Sequence, residues 1–221
     1  MRKLALLIPF IFLSVNAQAI PLKVVNVSAP PINCVFDASC TVVVEDTTAP
    51  IILAGARSSG FLQSRTFRGL PGSPAAGLYA YLYRVDMRNA FGTVDIGCVN
   101  SVTLNFGPVV STLDFNGDGS RDDQVFVVTS GGIGSIGIAS AEKDGNNITF
   151  TFSSPVCAGA TSGAGQSSFF WGLVSVLQPR FVSASVTQSS GPLLRVFARA
   201  PRALGSGGIT GRRRRGGSPM F

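Results

Sequence analysis

The segment Leu78-Tyr79-Ala80-Tyr81-Leu82-Tyr83-Arg84-Val85-Asp86 carries the clearest pattern in this sequence. Aliphatic residues alternate with tyrosines, and a period of two residues is typical of a β-strand. The alternation places Tyr79, Tyr81 and Tyr83 together on one face of the predicted strand. An exposed tyrosine row could stack on sugar rings. We favour the alternative, a half-buried face covered by a neighbouring sheet or loop, because tyrosine generally suits that position.

Short alternating runs of the same kind recur along the chain and are separated by Gly, Pro and Asn. Clear examples are 102–106, 148–152 and 180–187, residues 41–45 form a β-branched run, and sustained helical periodicity is absent. The near-continuous apolar run at 167–176 is typical of a central strand that is buried on both faces. We therefore predict an all-β fold, an antiparallel β-sandwich of jelly-roll or immunoglobulin-like type, with about ten strands and no helix longer than two turns. A length of 221 residues favours a single domain, which we place at residues 20–190.

The N-terminus has the three parts of a secretory signal peptide. A basic start is followed by an apolar run from Leu4 to Val15 and by the small-residue segment Ala17-Gln18-Ala19. The apolar run is too short to be a permanent membrane span. We therefore expect residues 1–19 to be cleaved, leaving a secreted mature chain without a membrane span.

The net charge of +7 comes from the two ends of the chain. Residues 4–190 hold nine basic and all eleven acidic residues, a net charge of −2. A basic stretch that includes the run Arg212 to Arg215 follows, and we expect residues 191–221 to form a disordered basic tail. No aromatic residues interleave that arginine run, so we predict no nucleic-acid partner.

Four cysteines are consistent with an oxidising destination. Three pairings are open, and free buried thiols are the alternative. We favour Cys34–Cys40, which closes a small loop, and Cys98–Cys157, which joins distant strands. A zinc site is disfavoured, since the chain has no histidine and no Cys-x-x-Cys motif.

Four of the eleven acidic residues lie in the segment Leu113-Asp114-Phe115-Asn116-Gly117-Asp118-Gly119-Ser120-Arg121-Asp122-Asp123. The spacing Asp-x-Asn-x-Asp-Gly-x-x-Asp suits a short loop that wraps oxygen ligands around one Ca²⁺. The expected ligands are the side chains of Asp114, Asn116, Asp118 and Asp122 and the backbone carbonyl of Ser120. The alternative is a polar turn, because Asn-Gly and Asp-Gly are strong turn formers. A turn alone does not require the remaining oxygen ligands, so we predict a structural Ca²⁺ site.

A strand is predicted directly after this loop. Val125 occupies the twelfth loop position, where the helix-loop-helix calcium site (EF-hand) has a bidentate glutamate, so an EF-hand is not expected. The loop therefore resembles the strand-flanked calcium loops of FG-GAP and dockerin-type sequences. The segments 77–85, 127–132 and 167–173 resemble secreted bacterial proteins of the PEP-CTERM type, which exosortases process. Codons that can encode Ala198 to Pro201 also encode Pro-Glu-Pro, the sorting signal of that family, one base forward. In its own frame the chain has no Pro-Glu-Pro and no apolar anchor, so we expect an unanchored protein.

The absence of histidine excludes Ser-His-Asp and Cys-His catalysis and the usual zinc hydrolases. A two-carboxylate glycosidase remains open but has no supporting motif. Its candidate acids are Glu45, Asp46, Asp86, Asp95 and Glu142. We predict a non-enzymatic, structural or adhesive domain of the cell surface or extracellular matrix, with surface polysaccharide or matrix proteins as partners. The alternative is a carbohydrate-binding module that uses the tyrosine row.

Overall fold

The computed structural model describes residues 18–92 and 97–202. Its elements, in chain order, are β1 (Ile20–Pro21), β2 (Val24–Ser28), α1 (Pro31–Cys34), β3 (Glu45–Ile51), β4 (Gly60–Arg68), β5 (Tyr79–Asp86), β6 (Cys98–Asn105), β7 (Val125–Ser130), β8 (Ile138–Asp144), β9 (Asn147–Cys157), β10 (Trp171–Ser175), β11 (Pro179–Gln188) and β12 (Leu194–Pro201). No described helix is longer than one turn, as expected. None of these helical residues forms a segment long and apolar enough to cross a bilayer.

The strands form two packed sheets of six, which confirms the all-β sandwich. Sheet A has the order β1-β8-β9-β6-β11-β12, and sheet B has the order β2-β7-β10-β5-β4-β3. One pair departs from the antiparallel expectation, because β2 runs parallel to β7, with Val24 opposite Val125. A parallel pair needs a long connection between its strands, and here almost the whole first half of the domain provides it.

The main hydrophobic core lies between the two sheets, where the inward-facing side chains of both sheets meet. Trp171, Phe106 and Phe150 are fully buried there, together with Tyr81 and Tyr83. The Tyr83 ring lies 6.0 Å from the Trp171 ring, and Tyr81 meets Phe106 edge to face at 5.4 Å. The strand pattern at 78–86 is therefore correct, and the tyrosines point toward the opposing sheet.

Sheet B is also covered on its outer face, by a second apolar cluster. The rings of Phe36 and Phe67 pack edge to face at 4.9 Å, and Phe115 lies 4.8 Å from Phe126. The cover comes from α1 and its following loop and from the segment around Phe115. Because both faces are buried, all five residues of β10 are buried, as predicted from its continuous apolar run.

Both predicted disulfides are confirmed. Cys34–Cys40 closes the loop after α1, and Cys98–Cys157 joins β6 to β9, where the two residues are direct partners in the sheet. The first bond therefore holds the cover of sheet B, and the second links two central strands of sheet A.

The expected domain boundary at residue 190 is wrong. Leu194–Pro201 is not a disordered tail but strand β12, which pairs with β11 from Leu194 opposite Val186 to Pro201 opposite Pro179. Its alternate residues Val196, Ala198 and Ala200 are buried between the sheets, so burial of one face stabilises it. Residues 198–201, whose codons could encode Pro-Glu-Pro one base forward, are thus part of a paired strand as translated in the given frame. Residues 1–17 of the expected signal peptide and 203–221 of the expected tail lie outside the described residues.

Candidate functional site

The predicted calcium loop is a closed loop that leads directly into β7. Leu113 and Asp123 form its base, since each backbone N–H donates to the other's carbonyl, at 3.1 and 3.0 Å. Phe115 is buried in the outer cluster, and Val125 is buried in the main core. The loop is therefore fixed on both sides by apolar packing.

Inside the loop, the Asp114 carboxylate accepts three backbone hydrogen bonds. Gly117 and Asp118 donate to Oδ1 at 2.7 and 3.1 Å, and Gly119 donates to Oδ2 at 2.8 Å. Gly117 and Gly119 both have positive φ, at +77° and +89°, which is strained for residues with a Cβ. The glycines of the motif thus permit the turn that brings these N–H groups to one carboxylate.

Asp118 is the second acceptor inside the loop. The Ser120 N–H donates to its Oδ1 at 2.7 Å, and Asn116 Nδ2 donates to its Oδ2 at 3.0 Å. The Ser120 hydrogen bond, followed by that of Asn116, lowers the pKa of Asp118. The side chain is therefore a carboxylate at neutral pH, which is the form that a cation requires.

Sequence reasoning missed Lys23, which offsets part of the negative charge of the loop. Its Nζ lies 2.6 Å from Asp122 Oδ1 and 2.9 Å from Asp123 Oδ1. Hydrogen bonds to Asp122 and Asp123 raise the pKa of Lys23 well above its usual value. Lys23 precedes β2 and is remote in sequence from the loop, so no local pattern could have revealed the contact.

The loop contains the oxygen ligands that Ca²⁺ prefers, but their side chains do not converge on one point in this structure. Among residues 18–92 and 97–202, no three Asp, Glu, His or Cys side chains converge as a metal site. The oxygens of Asp114 and Asp118 have spare lone pairs beyond their N–H partners. For a Ca²⁺ to bind, the Asn116 amide would have to turn its oxygen inward and Asp122 would have to leave Lys23.

The tyrosine row is not an exposed ligand face. Tyr81 and Tyr83 are fully buried, and their hydroxyls donate to the carbonyls of Leu177 and Arg199 at 2.5 and 2.7 Å. Burial raises the pKa of both side chains above the usual tyrosine value. Only Tyr79, at the end of the strand, stays partly exposed. The sugar-stacking proposal for the whole row is therefore wrong, because the opposing sheet covers the face.

Three of the candidate catalytic acids are paired with arginines. Glu45 contacts Arg199, Asp46 contacts Arg65 at 2.9 Å, and Asp86 contacts Arg84 at 2.9 Å. Glu142 lies exposed on β8, and Asp95 is outside the described residues.

A buried ionic network on the outer face of sheet B also escaped sequence reasoning. Arg84 is 5 % exposed and donates to Gln63 at 2.9 Å, and Arg88 Nη2 lies 2.6 Å from Asp86. Burial lowers the pKa of Arg84, and the charge of Asp86 opposes that effect. Burial alone would raise the pKa of Asp86, but the hydrogen bonds from Arg88 and the charge of Arg84 hold it below its usual value. Asp86 pairs with both arginines, so the network keeps one net positive charge, and its closely paired groups have the form of structural ion pairs.

A hollow of about 470 Å³ lies beside this network. Its wall is mainly apolar, and Arg65 stacks 4.5 Å from the centre of the Phe170 ring at its edge. Asp46 already holds Arg65, so the hollow offers an apolar surface without an unpaired charge from this arginine.

Comparison with protein-family models, curated proteins and solved structures finds no match to this chain. The fold and the sites therefore rest on the geometry above. That geometry defines the class, a disulfide-bonded two-sheet β-sandwich.

Proposed function

We propose that this chain is a secreted structural or adhesive domain of the bacterial cell surface or extracellular matrix. The observation that supports it best is the position of the two disulfides. One holds the cover of sheet B, and the other bonds the directly paired residues Cys98 and Cys157 in sheet A. Disulfides persist in oxidising compartments and resist unfolding outside the cell.

The test is fractionation of a bacterium that produces the full chain. The protein should be found, disulfide-bonded, in the cell-surface and matrix fractions, and its deletion should weaken cell adhesion or matrix cohesion. Cys98→Ser/Cys157→Ser should lower the recovered amount, whereas Ser140→Ala, a change at a partly exposed position on β8, should not. Retention of the wild-type chain in the cytoplasm with reduced thiols would contradict the proposal.

We also propose that the loop 113–123 binds one structural Ca²⁺, with Asp114, Asn116, Asp118, Ser120 and Asp122 as ligands. Calcium favours carboxylate and carbonyl oxygens, and the ionised Asp118 is central to the set. The ion would have to compete with the Lys23 ammonium for Asp122, so we expect affinity lower than the ligand count alone suggests.

Melting in EDTA and in millimolar Ca²⁺ tests this site. At a free Ca²⁺ of 100 times the dissociation constant, linkage stabilises the fold by about 2.7 kcal/mol, and Asp118→Ala should remove most of that gain. Asp144→Ala is the matched control, because it removes an exposed acid from the end of β8. Identical melting of the wild type in both buffers would mean that the loop is a turn closed by its own hydrogen bonds and Lys23.

A further inference from the structure

A groove runs along one corner of the sandwich, where β3 and β4 meet β11 and β12. Two hollows of about 210 Å³ each share Pro179, and a third of about 200 Å³ adjoins them through Val43 and Arg68. The corner is held by the backbone of β12, since the Arg199 N–H donates to Ser64 Oγ at 3.1 Å. We call this feature the edge groove and define it by Glu45, Arg68, Tyr79, Pro179, Phe181 and Arg199.

Aromatic rings and guanidinium groups alternate along the edge groove. The Arg68 guanidinium lies 5.6 Å from the centre of the Tyr79 ring, and the Arg199 guanidinium lies 5.3 Å from the centre of the Phe181 ring. Phe181 is 59 % exposed and Phe197 is 68 % exposed on the same sheet face, which is otherwise rich in Ser and Thr. A single exposed ring is ordinary on a protein surface, and Phe181 differs from Phe197 in having an arginine stacked beside it in the groove. Each ring can present its apolar surface to a ligand while the arginine beside it supplies a positive charge.

The edge groove is positively charged, although the body of the domain is mildly acidic. Across the three hollows, Arg68, Arg180 and Arg199 face the carboxylates Glu45 and Asp37, which leaves one net positive charge. Asp37 lines only the hollow that does not include Pro179. A concentration of one charge sign in a groove attracts a ligand of the opposite sign. The charge pattern therefore indicates an anionic ligand.

Arg199 adds a second, independent observation. Its Nη1 donates to Glu45 and, at 3.3 Å, to Thr66, whereas its Nε is buried and has no hydrogen-bond partner among the described residues. An unsatisfied buried N–H costs free energy. A carboxylate bound side-on to the guanidinium would satisfy it once the neighbouring side chains moved aside, because the Nε is closed off from solvent in this structure. The Phe181 ring beside this group is largely exposed, so packing does not hold it against displacement.

We propose that the edge groove binds an anionic polysaccharide of the polyuronate class. Such a polymer repeats an apolar ring face and a carboxylate along an extended chain, which matches the repeated aromatic and guanidinium groups of the groove. This inference deepens the proposed function and rests on it for the extracellular location, where polyuronates occur. The ligand face differs from the tyrosine row that the sequence offered as an alternative, because it uses Tyr79 alone of the three tyrosines.

Affinity electrophoresis and calorimetry of the purified chain with polygalacturonate test the proposal. Phe181→Ala and Arg68→Gln should each weaken binding about tenfold, the loss expected for one stacked ring or one paired cation. The matched controls are Phe197→Ala and Arg195→Gln, which remove an exposed ring and an exposed cation from β12 outside the groove. Binding should weaken as salt rises, and neutral dextran should not bind.

Absence of polygalacturonate binding would overturn the proposal, as would equal losses in the control variants. Equally tight binding to vesicles of anionic lipid or to neutral dextran would also overturn it. The two proposals fail in distinguishable ways. If the protein is found in the matrix but does not bind polygalacturonate, only the edge-groove proposal is contradicted. If the protein stays in the cytoplasm, the proposed function is contradicted, whatever the groove binds in vitro.

Discussion

Replacement of Asp123 by alanine should destabilise the domain strongly, although Asp123 lies outside the calcium spacing. Its side chain is fully buried, its Oδ2 accepts the Phe115 N–H at 2.9 Å, and its Oδ1 pairs with Lys23. Alanine would leave a buried N–H without its acceptor and would remove one of the two carboxylates that hold Lys23. The unsatisfied group and the broken pair together suggest a loss of about 3 kcal/mol. For a domain of this size, the melting temperature should fall by about 6–12 °C.

Thermal melting followed by circular dichroism measures this effect, with Asp122→Ala as the control. Asp122 contacts the same lysine but is 64 % exposed, so its loss should shift the melting temperature by less than about 2 °C. Asp123→Asn should fall between the two, since an amide oxygen can still accept the Phe115 N–H. If Asp122→Ala were as harmful as Asp123→Ala, the burial argument would be refuted.

Two further predictions follow from the disulfides and the buried tyrosines. Cys98→Ser/Cys157→Ser should lower the free energy of unfolding in denaturant by about 4 kcal/mol, because the bridge spans a separation of 59 residues. Removal of the Cys34–Cys40 bridge should lower it by about 2 kcal/mol, because that loop is short. Equal losses would contradict the chain-entropy argument. The pKa values of Tyr81 and Tyr83 are raised by burial, so the folded state keeps protons that the unfolded chain releases near pH 10. Stability should therefore be complete below about pH 10 and fall as the pH rises further, and Tyr83→Phe should make that decline shallower in pH-dependent melting; an unchanged slope would contradict it.

The parts of the fold that were predictable depend on local pattern. Two of these patterns, the alternation at 78–86 and the apolar run at 167–176, depend only on residues that are neighbours in sequence. The disulfides were predictable because four cysteines allow only three pairings. The same alternating pattern was present in β12, where Val196, Ala198 and Ala200 alternate with exposed or partly exposed residues. Small alanines and the surrounding arginines concealed it, because the hydrophobic contrast along the strand is weak.

The parts that were not predictable depend on contacts between distant segments. Period two identifies the two faces of β5 but not which face meets the other sheet, so the tyrosines could equally have faced solvent. The edge groove likewise needs the Pro179–Phe181 segment to lie beside Tyr79 and Glu45. No local motif encodes that proximity, since it arises when β11 and β12 close the corner of the sandwich.

Lys23 explains why the loop and the parallel strand pair form one unit. Its carbonyl accepts the N–H groups of Gln124 and Val125, at 3.1 and 2.9 Å, and its own N–H donates to Gln124 Oε1 at 3.0 Å. Its side chain reaches the carboxylates at the end of the loop. The backbone of Lys23 thus sets the register of β2 on β7, while its ammonium closes the loop that delivers β7. Because the backbone contacts do not depend on the ammonium, a Ca²⁺ that displaced the side chain would leave the parallel pair in register.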